Sequence, residues 1–190
     1  MVQRVRQHFA FSDYVDLEER STIKHEYLDG LVWAMAGGSP DHARAATNVA
    51  TSLGTQLVGK RCAVFGSDLR VRVTATGLGT YPDVTVVCGG LELDPEDPKG
   101  HTIVNPRVIV EVLSPSTEEY DRGEKLDHYR RIPSLDVVVL VAHDERRIDV
   151  HRRVGDRWVS ESFASGGVVE LETIACRLDV DAVYHDPLGS

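Results

Sequence analysis

The stretch VIVEVLSPST, residues 108–117, constrains the fold of this chain more than any other part of the sequence. Its first six residues are strongly apolar except for Glu111, and a continuous apolar run is typical of a strand buried on both faces. An isolated ionised carboxylate in such a strand is very unfavourable unless something pairs with it or binds it. The sequence therefore predicts a covered sheet and raises the question of what accompanies Glu111.

The remaining patterns predict helices and strands packed around this strand. A hairpin is expected at the Asp-Gly turn within residues 24–37, and Ser116 with Glu119 has the spacing of a capping box for a helix over residues 117–132. Other predicted helices cover 12–19, capped by Ser12, 42–59 and about 179–184, and other strands lie within 62–74, 81–89, 135–144 and 146–171. Residues 74–80 read as a turn and 89–106 as an exposed loop.

Together these elements predict an α/β fold, or more closely an α+β fold with a mixed sheet. Helices flank a central mixed β-sheet, an N-terminal hairpin extends it, and antiparallel strands follow at the C-terminal end. A chain of 190 residues suits one domain, so residues 1–190 are expected to form a single unit.

Charge and cysteine content narrow the functional classes. A net charge of −9 argues against a protein that coats nucleic acid non-specifically, although a local basic groove stays compatible with it. The three cysteines form no C-x-x-C pair, so we expect reduced thiols in a cytoplasmic protein. The first twenty residues contain no apolar stretch and the run VVVLVA is too short to cross a bilayer, so neither a targeting segment nor a membrane partner is expected.

Two acids near the apolar strands are candidates for chemistry. Asp83 lies at the head of the strand YPDVTVV, where it could form a turn, pair with an arginine or bind a ligand. Glu111 is compatible with a buried ion pair, for which Arg70, Arg72 or Arg107 could supply the cation. The functional alternative is a metal ligand, because hard divalent cations prefer oxygen.

A lysine on the following helix is the third candidate. Asp121, Lys125 and Tyr129 are spaced i, i+4 and i+8, so they share one face of the helix. A solvated Asp–Lys pair would explain part of this spacing. The aromatic residue indicates instead that the face packs, which would hold Lys125 over the carboxylates.

The assembled pattern resembles a known nuclease superfamily. A proline–aspartate on one strand, a glutamate in the next apolar strand and a lysine on the following helix resemble the PD-(D/E)XK nucleases. The chain is more closely similar to the Uma-two type family of restriction endonucleases. The matching pieces fall in the family's order over about residues 20–145: HEYLDG, GGSPDH, YPDVTVVCG, VIVEVLSPST and DRGEKLDHY.

This resemblance implies a restriction-endonuclease-like core with Asp83 and Glu111 as ligands of Mg²⁺, for which Mn²⁺ could substitute. The simplest superfamily pattern has a lysine two residues after the second acid, where this chain has Leu113. The matching catalytic lysine is Lys125 on the helix. Glu26, in HEYLDG, matches a further catalytic acid that could bind a second ion or its water.

Three supporting residues and four arginines complete the expected site. Tyr129 and Asp121 would support Lys125, and His42 lies in the matching SPDH, where capping and packing are alternatives to catalysis. The residues predicted to contact nucleic acid are Arg70 and Arg72, on a strand face expected to be wet, and Arg130 and Arg131 at the end of the helix.

The expected activity is metal-dependent hydrolysis of phosphodiester bonds in nucleic acid, with DNA as the expected partner. A homodimer is one possible assembly, because endonucleases that cut both strands are often dimers. One alternative is a non-catalytic module that binds nucleic acid or protein on the same fold. Another is a metal-dependent hydrolase of small phosphoesters, which a narrow closed pocket would favour over an open groove.

Overall fold

The structure is a computed structural model that describes residues 8–189. The first twenty residues were expected to contain no targeting segment. Residues 1–7 of that stretch lie outside the described residues. The helices are α1 Phe11–Glu18, α2 Pro40–Gln56, α3 Glu118–Arg122, α4 Glu124–Tyr129 and α5 Val180–Val183. The strands are β1 His25–Leu28, β2 Leu31–Ala34, β3 Cys62–Gly66, β4 Arg70–Val73, β5 Leu78–Thr80, β6 Val84–Cys88, β7 Thr102–Ile103, β8 Val108–Val112, β9 Val137–Val141, β10 Arg147–Val154, β11 Arg157–Ala164, β12 Val168–Leu171 and β13 Cys176–Asp179.

A six-stranded mixed sheet with the order β11-β10-β9-β8-β6-β3 forms the centre of the fold. The apolar strand β8 lies inside it, parallel to β9 and antiparallel to β6, so both of its edges are paired. All five residues of β8 are buried, as the continuous apolar run predicts. The predicted fold class, a mixed sheet flanked by helices, is confirmed.

Alternation along β8 divides its side chains between two cores. Val108, Val110 and Val112 face α2, α5 and the β12–β13 hairpin. Ile109 and Leu113 face α4 and the second sheet. Glu111 points to this second side, because side chains two apart on a strand share a face.

The second sheet brings the N-terminal hairpin to the edge of the core. Its order is β2-β1-β5-β4-β7, and the hairpin turns at Asp29 and Gly30, both at positive φ, as an Asp-Gly turn requires. The predicted hairpin is therefore confirmed. The expected turn at 74–80 is only partly right, because its last three residues form β5, which pairs with both β1 and β4.

The predicted helix over 117–132 is divided into α3 and α4 at Gly123. The backbone there has φ −105° and ψ −103°, outside the helical region, and a Cβ at this position would lie 2.9 Å from the Glu119 carbonyl oxygen. Neither predicted cap forms. The residue before α3 is Thr117, and no side chain caps this helix. Ser12 lies within α1 and not before it. The Asp13 carboxylate instead accepts from the Ala10 N–H, at 3.0 Å, at the start of α1.

The expectation that all cysteines are reduced thiols is wrong. Cys62 and Cys88 form a disulfide, and Cys176 is free and buried. The sequence hides this pairing because 26 positions separate the two residues, whereas the antiparallel register of β3 and β6 places them directly opposite each other.

Among residues 8–189, no helix is both long and apolar enough to span a membrane.

Candidate active site

Lys125 is the partner of the buried Glu111. Its Nζ lies 3.0 Å from Glu111 Oε1, and both side chains are almost completely buried. The Tyr129 hydroxyl donates a short hydrogen bond to the same oxygen. The arginines considered as partners for Glu111 are engaged elsewhere, so helix α4 supplies both the cation and the hydrogen-bond donor.

Two more acids converge on the same ammonium group. Lys125 Nζ lies 3.0 Å from Glu26 Oε1 on β1 and 3.4 Å from Asp121 Oδ1 on α3. Glu26 is fixed in turn by the Thr80 hydroxyl, which donates to Oε1 at 2.5 Å. Lys125 is therefore not the solvated surface lysine that the spacing alone would also allow.

Asp83 lies beside this group, at the entrance to β6. Its Oδ2 accepts the Val112 N–H at 2.7 Å, so the carboxylate is fixed to the end of β8. His42 Nε2, at the start of α2, lies 3.3 Å from the same oxygen. The hydrogen bond to Asp83 is the main cause that raises the pKa of His42.

Burial and like charges shift the proton equilibria of the group. Burial raises the pKa of Glu111 to about 8, with Lys125 opposing the shift and the charges of Asp83 and Asp121 adding to it. Burial alone would lower the pKa of Lys125, but Glu111 and the neighbouring anionic groups raise it well above its ordinary range. Carboxylates thus outnumber the lysine in a dry environment, which is the arrangement that attracts a further cation.

A cavity of about 340 Å³ opens onto these groups. Glu26, Asp83, Glu111 and Asp121, together called the acid cluster, line it with Lys125. Strand β2 and the loop after it form another wall, which makes the cavity a recess and not a flat surface. Its size lies at the lower end of the range typical of small-ligand pockets.

The residues of the acid cluster fit a Mg²⁺ ion in number and donor type. The protein groups that contact Glu111 do so at Oε1, and those that contact Asp83 do so at Oδ2. Among the described residues, Oε2 of Glu111 and Oδ1 of Asp83 therefore remain available to a ligand. Within residues 8–189, no group of three or more His, Cys, Asp or Glu side chains is arranged as a metal site. Mg²⁺ is commonly held by one or two carboxylates with waters and substrate oxygens, so a pair of acids suffices.

The structure thus brings together all seven residues predicted for catalysis and support. Tyr129 donates to the Glu111 carboxylate, and its ring centroid lies 6.0 Å from Lys125 Nζ, next to the lysine that it was expected to support. The predicted residues of the site are Glu26, His42, Asp83, Glu111, Asp121, Lys125 and Tyr129.

The four arginines predicted to bind nucleic acid do not join the site. The prediction of a wet face for Arg70 and Arg72 is wrong, because Arg70 is 2% exposed and Arg72 forms ion pairs with Asp94 and Glu96. Asp94 and Glu96 belong to residues 89–106, which were expected to form an exposed loop, yet Asp94 is buried. Arg130 and Arg131 follow α4 and do not line the cavity of the acid cluster.

Three residues were not identified from the sequence: Thr80, which holds a site residue, and Trp33 and Tyr120, which line the cavity. Thr80 was read as part of a turn, although it fixes Glu26. Trp33 and Tyr120 line the cavity, with ring centroids 6.5 Å apart. Tyr120 immediately precedes Asp121, so its position beside a predicted site residue was the available signal, whereas Trp33 has no such neighbour in the sequence.

Comparison with known proteins places this site in a wider context. Residues 11–181 match the family model Uma2, described as "Putative restriction endonuclease". The chain is 37% identical over 175 residues to the uncharacterized protein slr1290 of Synechocystis sp., covering 91% of this chain and 90% of that protein. It is 30% identical over 166 residues to the uncharacterized protein sll1609 of the same organism, covering 85% and 90%.

A solved structure shares the fold. It is a "putative nuclease belonging to DUF820" from Anabaena variabilis, with a TM-score of 0.71 and 16% sequence identity. The similarity covers 90% of this chain and 96% of that one.

Proposed function

Since the chain belongs to the Uma2 family, whose model is described as a putative restriction endonuclease, we propose that it is a Mg²⁺-dependent endonuclease that hydrolyses phosphodiester bonds of DNA. The observation that carries the proposal is the position of Lys125. Its Nζ lies 3.0 Å from both Glu26 and Glu111 at a cavity that Asp83 also lines. A surface ion pair would not bury a lysine among three carboxylates.

Asp83 and Glu111 are the residues that would hold the ion, through the oxygens that the protein contacts leave available. Mg²⁺ would supply Lewis-acid stabilisation of the phosphoryl oxygens and would favour deprotonation of the attacking water. Because β8 is paired on both edges and Val112 fixes Asp83, the two carboxylates are held by the rigid centre of the sheet.

Lys125 would act on the reacting atoms. Its ammonium group, held by Glu26 and Glu111, would orient the attacking water and offset negative charge as it develops on the phosphoryl group. Glu26 would accept a hydrogen bond from that water, since Thr80 fixes its carboxylate. Tyr129 would hold Glu111 in the rotamer in which it reaches both the lysine and the cavity.

The test is cleavage of labelled DNA in Mg²⁺ or Mn²⁺ by the wild type, Lys125→Met and a control, Lys99→Met. Lys99 is exposed and lies outside the cavity. We expect Lys125→Met to lose about a hundredfold or more in rate, because it removes a group that acts on developing charge. Lys99→Met should cleave like the wild type.

Circular dichroism of each variant must first show that the fold is retained. Equal cleavage by Lys125→Met and the wild type would remove the lysine from the mechanism. If the wild type cleaves neither duplex nor single-stranded DNA nor RNA in either metal, the proposal fails and the non-catalytic binding module takes its place.

A further inference from the structure

An aromatic wall adjoins the acid cluster. In the β1–β2 hairpin, Trp33 is paired directly with Glu26, so the indole and the carboxylate are neighbours on one face of the hairpin. The Tyr120 ring meets the Trp33 ring edge to face, with centroids 6.5 Å apart and an interplanar angle of 79°. Both rings line the cavity that contains Glu111 and Lys125.

Trp33 has no place in the apolar cores of the described residues. It is half-buried and belongs to none of the three buried apolar clusters, whereas Trp158 packs against one of them and has the Arg153 guanidinium 4.8 Å from its ring centroid. A large flat ring next to charged groups therefore keeps a face available to a ligand. Such rings bind nucleobases by stacking, whatever the base.

The neighbouring phenol adds a polar group to this wall. The Tyr120 hydroxyl is buried and has no hydrogen-bond partner among residues 8–189. A buried hydroxyl without a partner is unfavourable by itself, and a polar ligand group in the cavity would satisfy it. The wall thus offers an aromatic face and one hydrogen-bonding group.

The depth of the acids restricts which nucleic acid can reach them. The side chains of Glu111 and Lys125 are only 6% and 5% exposed, at the bottom of a recess of about 340 Å³. The stiff backbone of a stacked duplex cannot bend into such a recess. An unpaired strand can, because its nucleotides rotate freely and present their base faces.

We propose that Trp33 stacks on an unpaired nucleobase beside the scissile phosphate, so that the substrate of this site is single-stranded nucleic acid and not an intact duplex. This proposal rests on the proposed nuclease function, because that function is what places the scissile phosphate at the acid cluster. Stacking on Trp33 itself requires no cleavage, which makes the two separable by experiment.

The experiment uses the fluorescence of Trp33 in a protein that also carries Trp158→Phe and Lys125→Met. The chain has two tryptophans, so Trp33 is then the single indole, and the lysine change prevents cleavage during titration. Oligothymidylate, oligouridylate and a blunt DNA hairpin of the same length are titrated in Mg²⁺. We expect quenching by the single strands and little change with the hairpin.

Affinity is measured by anisotropy of labelled oligothymidylate in the same background. Trp33→Leu should weaken binding roughly 10-fold or more, the loss typical of one stacked base. Trp33→Phe, which keeps an aromatic face, should retain most of the affinity. The difference between the DNA and RNA oligomers then shows which sugar the site accepts.

The outcomes separate the two proposals. Unchanged affinity in Trp33→Leu, absence of quenching, or tighter binding of the hairpin would overturn the stacking proposal. If stacking is seen but the wild type cleaves nothing, the nuclease proposal alone fails. If the wild type cleaves blunt duplex in a Lys125-dependent way and Trp33→Leu cleaves it equally, the nuclease proposal stands without the stacking.

Discussion

Two of the buried charge clusters among residues 8–189 are built differently. In the arginine cluster (Arg70, Tyr81, Asp97 and Thr102), one guanidinium meets one carboxylate at 2.9 Å. Arg70 also donates to Thr102 and Tyr81, and Thr102 donates to the Asp97 oxygen that contacts Arg70. Backbone N–H groups of the loop complete the hydrogen bonds of Asp97.

The acid cluster has the opposite balance. Its one lysine is shared by Glu26, Glu111 and Asp121, with Asp83 beside them, and the group lines a cavity. Burial of an ion pair is therefore no sign of function by itself. An excess of one charge at the wall of a cavity distinguishes a site from a structural pair, because only the excess leaves something for a ligand to compensate.

The largest expected effect is the loss of stability when the arginine cluster is broken. Arg70→Met should lower the free energy of unfolding by about 3–5 kcal/mol, because it leaves Asp97 buried without its partner. Glu111→Gln should change it by about 1 kcal/mol or less, because the neutral amide replaces a carboxyl group that burial keeps largely protonated at neutral pH. Urea denaturation at neutral pH without metal measures both.

Arg146→Met is the matched control, since its ion pair with Asp181 is solvent-exposed and should contribute little to the free energy of unfolding. Equal losses in Arg70→Met and Glu111→Gln would mean that the acid cluster is a structural pair of the same kind, and the contrast between the clusters would disappear.

The next expected effect is on metal affinity. Asp83→Ala and Glu111→Ala should each weaken Mn²⁺ binding by about 100-fold or more, since loss even of a supporting residue around a metal typically weakens binding about 10- to 100-fold. Isothermal titration calorimetry measures this, with Asp127→Ala as the control because that carboxylate is 73% exposed on α4. Undiminished binding by both variants would show that these acids are not ligands.

Local signals in the sequence were sufficient to predict the strand β8 and the hairpin and to single out Asp83 and Glu111 as candidates. These signals are a continuous apolar run, an Asp-Gly turn, and charges placed inside or next to apolar strands, whereas Glu26 was assigned from the family resemblance. Lys125 could not be assigned to the site from local signals, because its helical spacing alone is also compatible with a surface ion pair. The resemblance to the nuclease superfamily, and not periodicity, selected it.

What the sequence could not show depends on contacts between distant segments. Alternation along β4 predicts a wet face for Arg70, yet a loop 27 residues away buries it by supplying Asp97. The partnership of Cys62 and Cys88 likewise depends on the register of two strands. Trp33 carries no local signal, since its importance lies in being opposite Glu26 in the hairpin.

The last expected effect is a dependence of the free energy of unfolding on pH that arises in the acid cluster and not in the arginine cluster. The pKa of Glu111 is raised from an ordinary value of 4.5 to about 8, mainly by burial. Between these values the folded protein keeps a proton that the unfolded chain releases. The stabilisation is therefore complete below about pH 4.5 and is lost as the pH rises through about 8, at up to about 1.4 kcal/mol per pH unit.

Asp97, in the arginine cluster, should behave in the opposite way. Burial acts to raise the pKa of Asp97, but hydrogen bonds from Thr102 and Arg70 outweigh it and lower the pKa below 3.8. Its stabilisation is present above that value and lost only in stronger acid, so it is constant between pH 5 and 8.

Urea denaturation in EDTA from about pH 5 to 8 tests this difference in the wild type and Glu111→Gln. His42, whose pKa is raised chiefly by its hydrogen bond to Asp83, also loses stabilisation as the pH rises, but it is present in both proteins. The other ionisable groups that act on Glu111 are likewise common to both: Lys125, Asp83, Asp121 and Tyr129. The difference between the two curves therefore reports Glu111, and it should fall with pH in the wild type. A difference between the two curves that does not change with pH would mean that Lys125 keeps Glu111 fully ionised, as Arg70 keeps Asp97. The acid cluster would then have no excess negative charge that a further cation could balance.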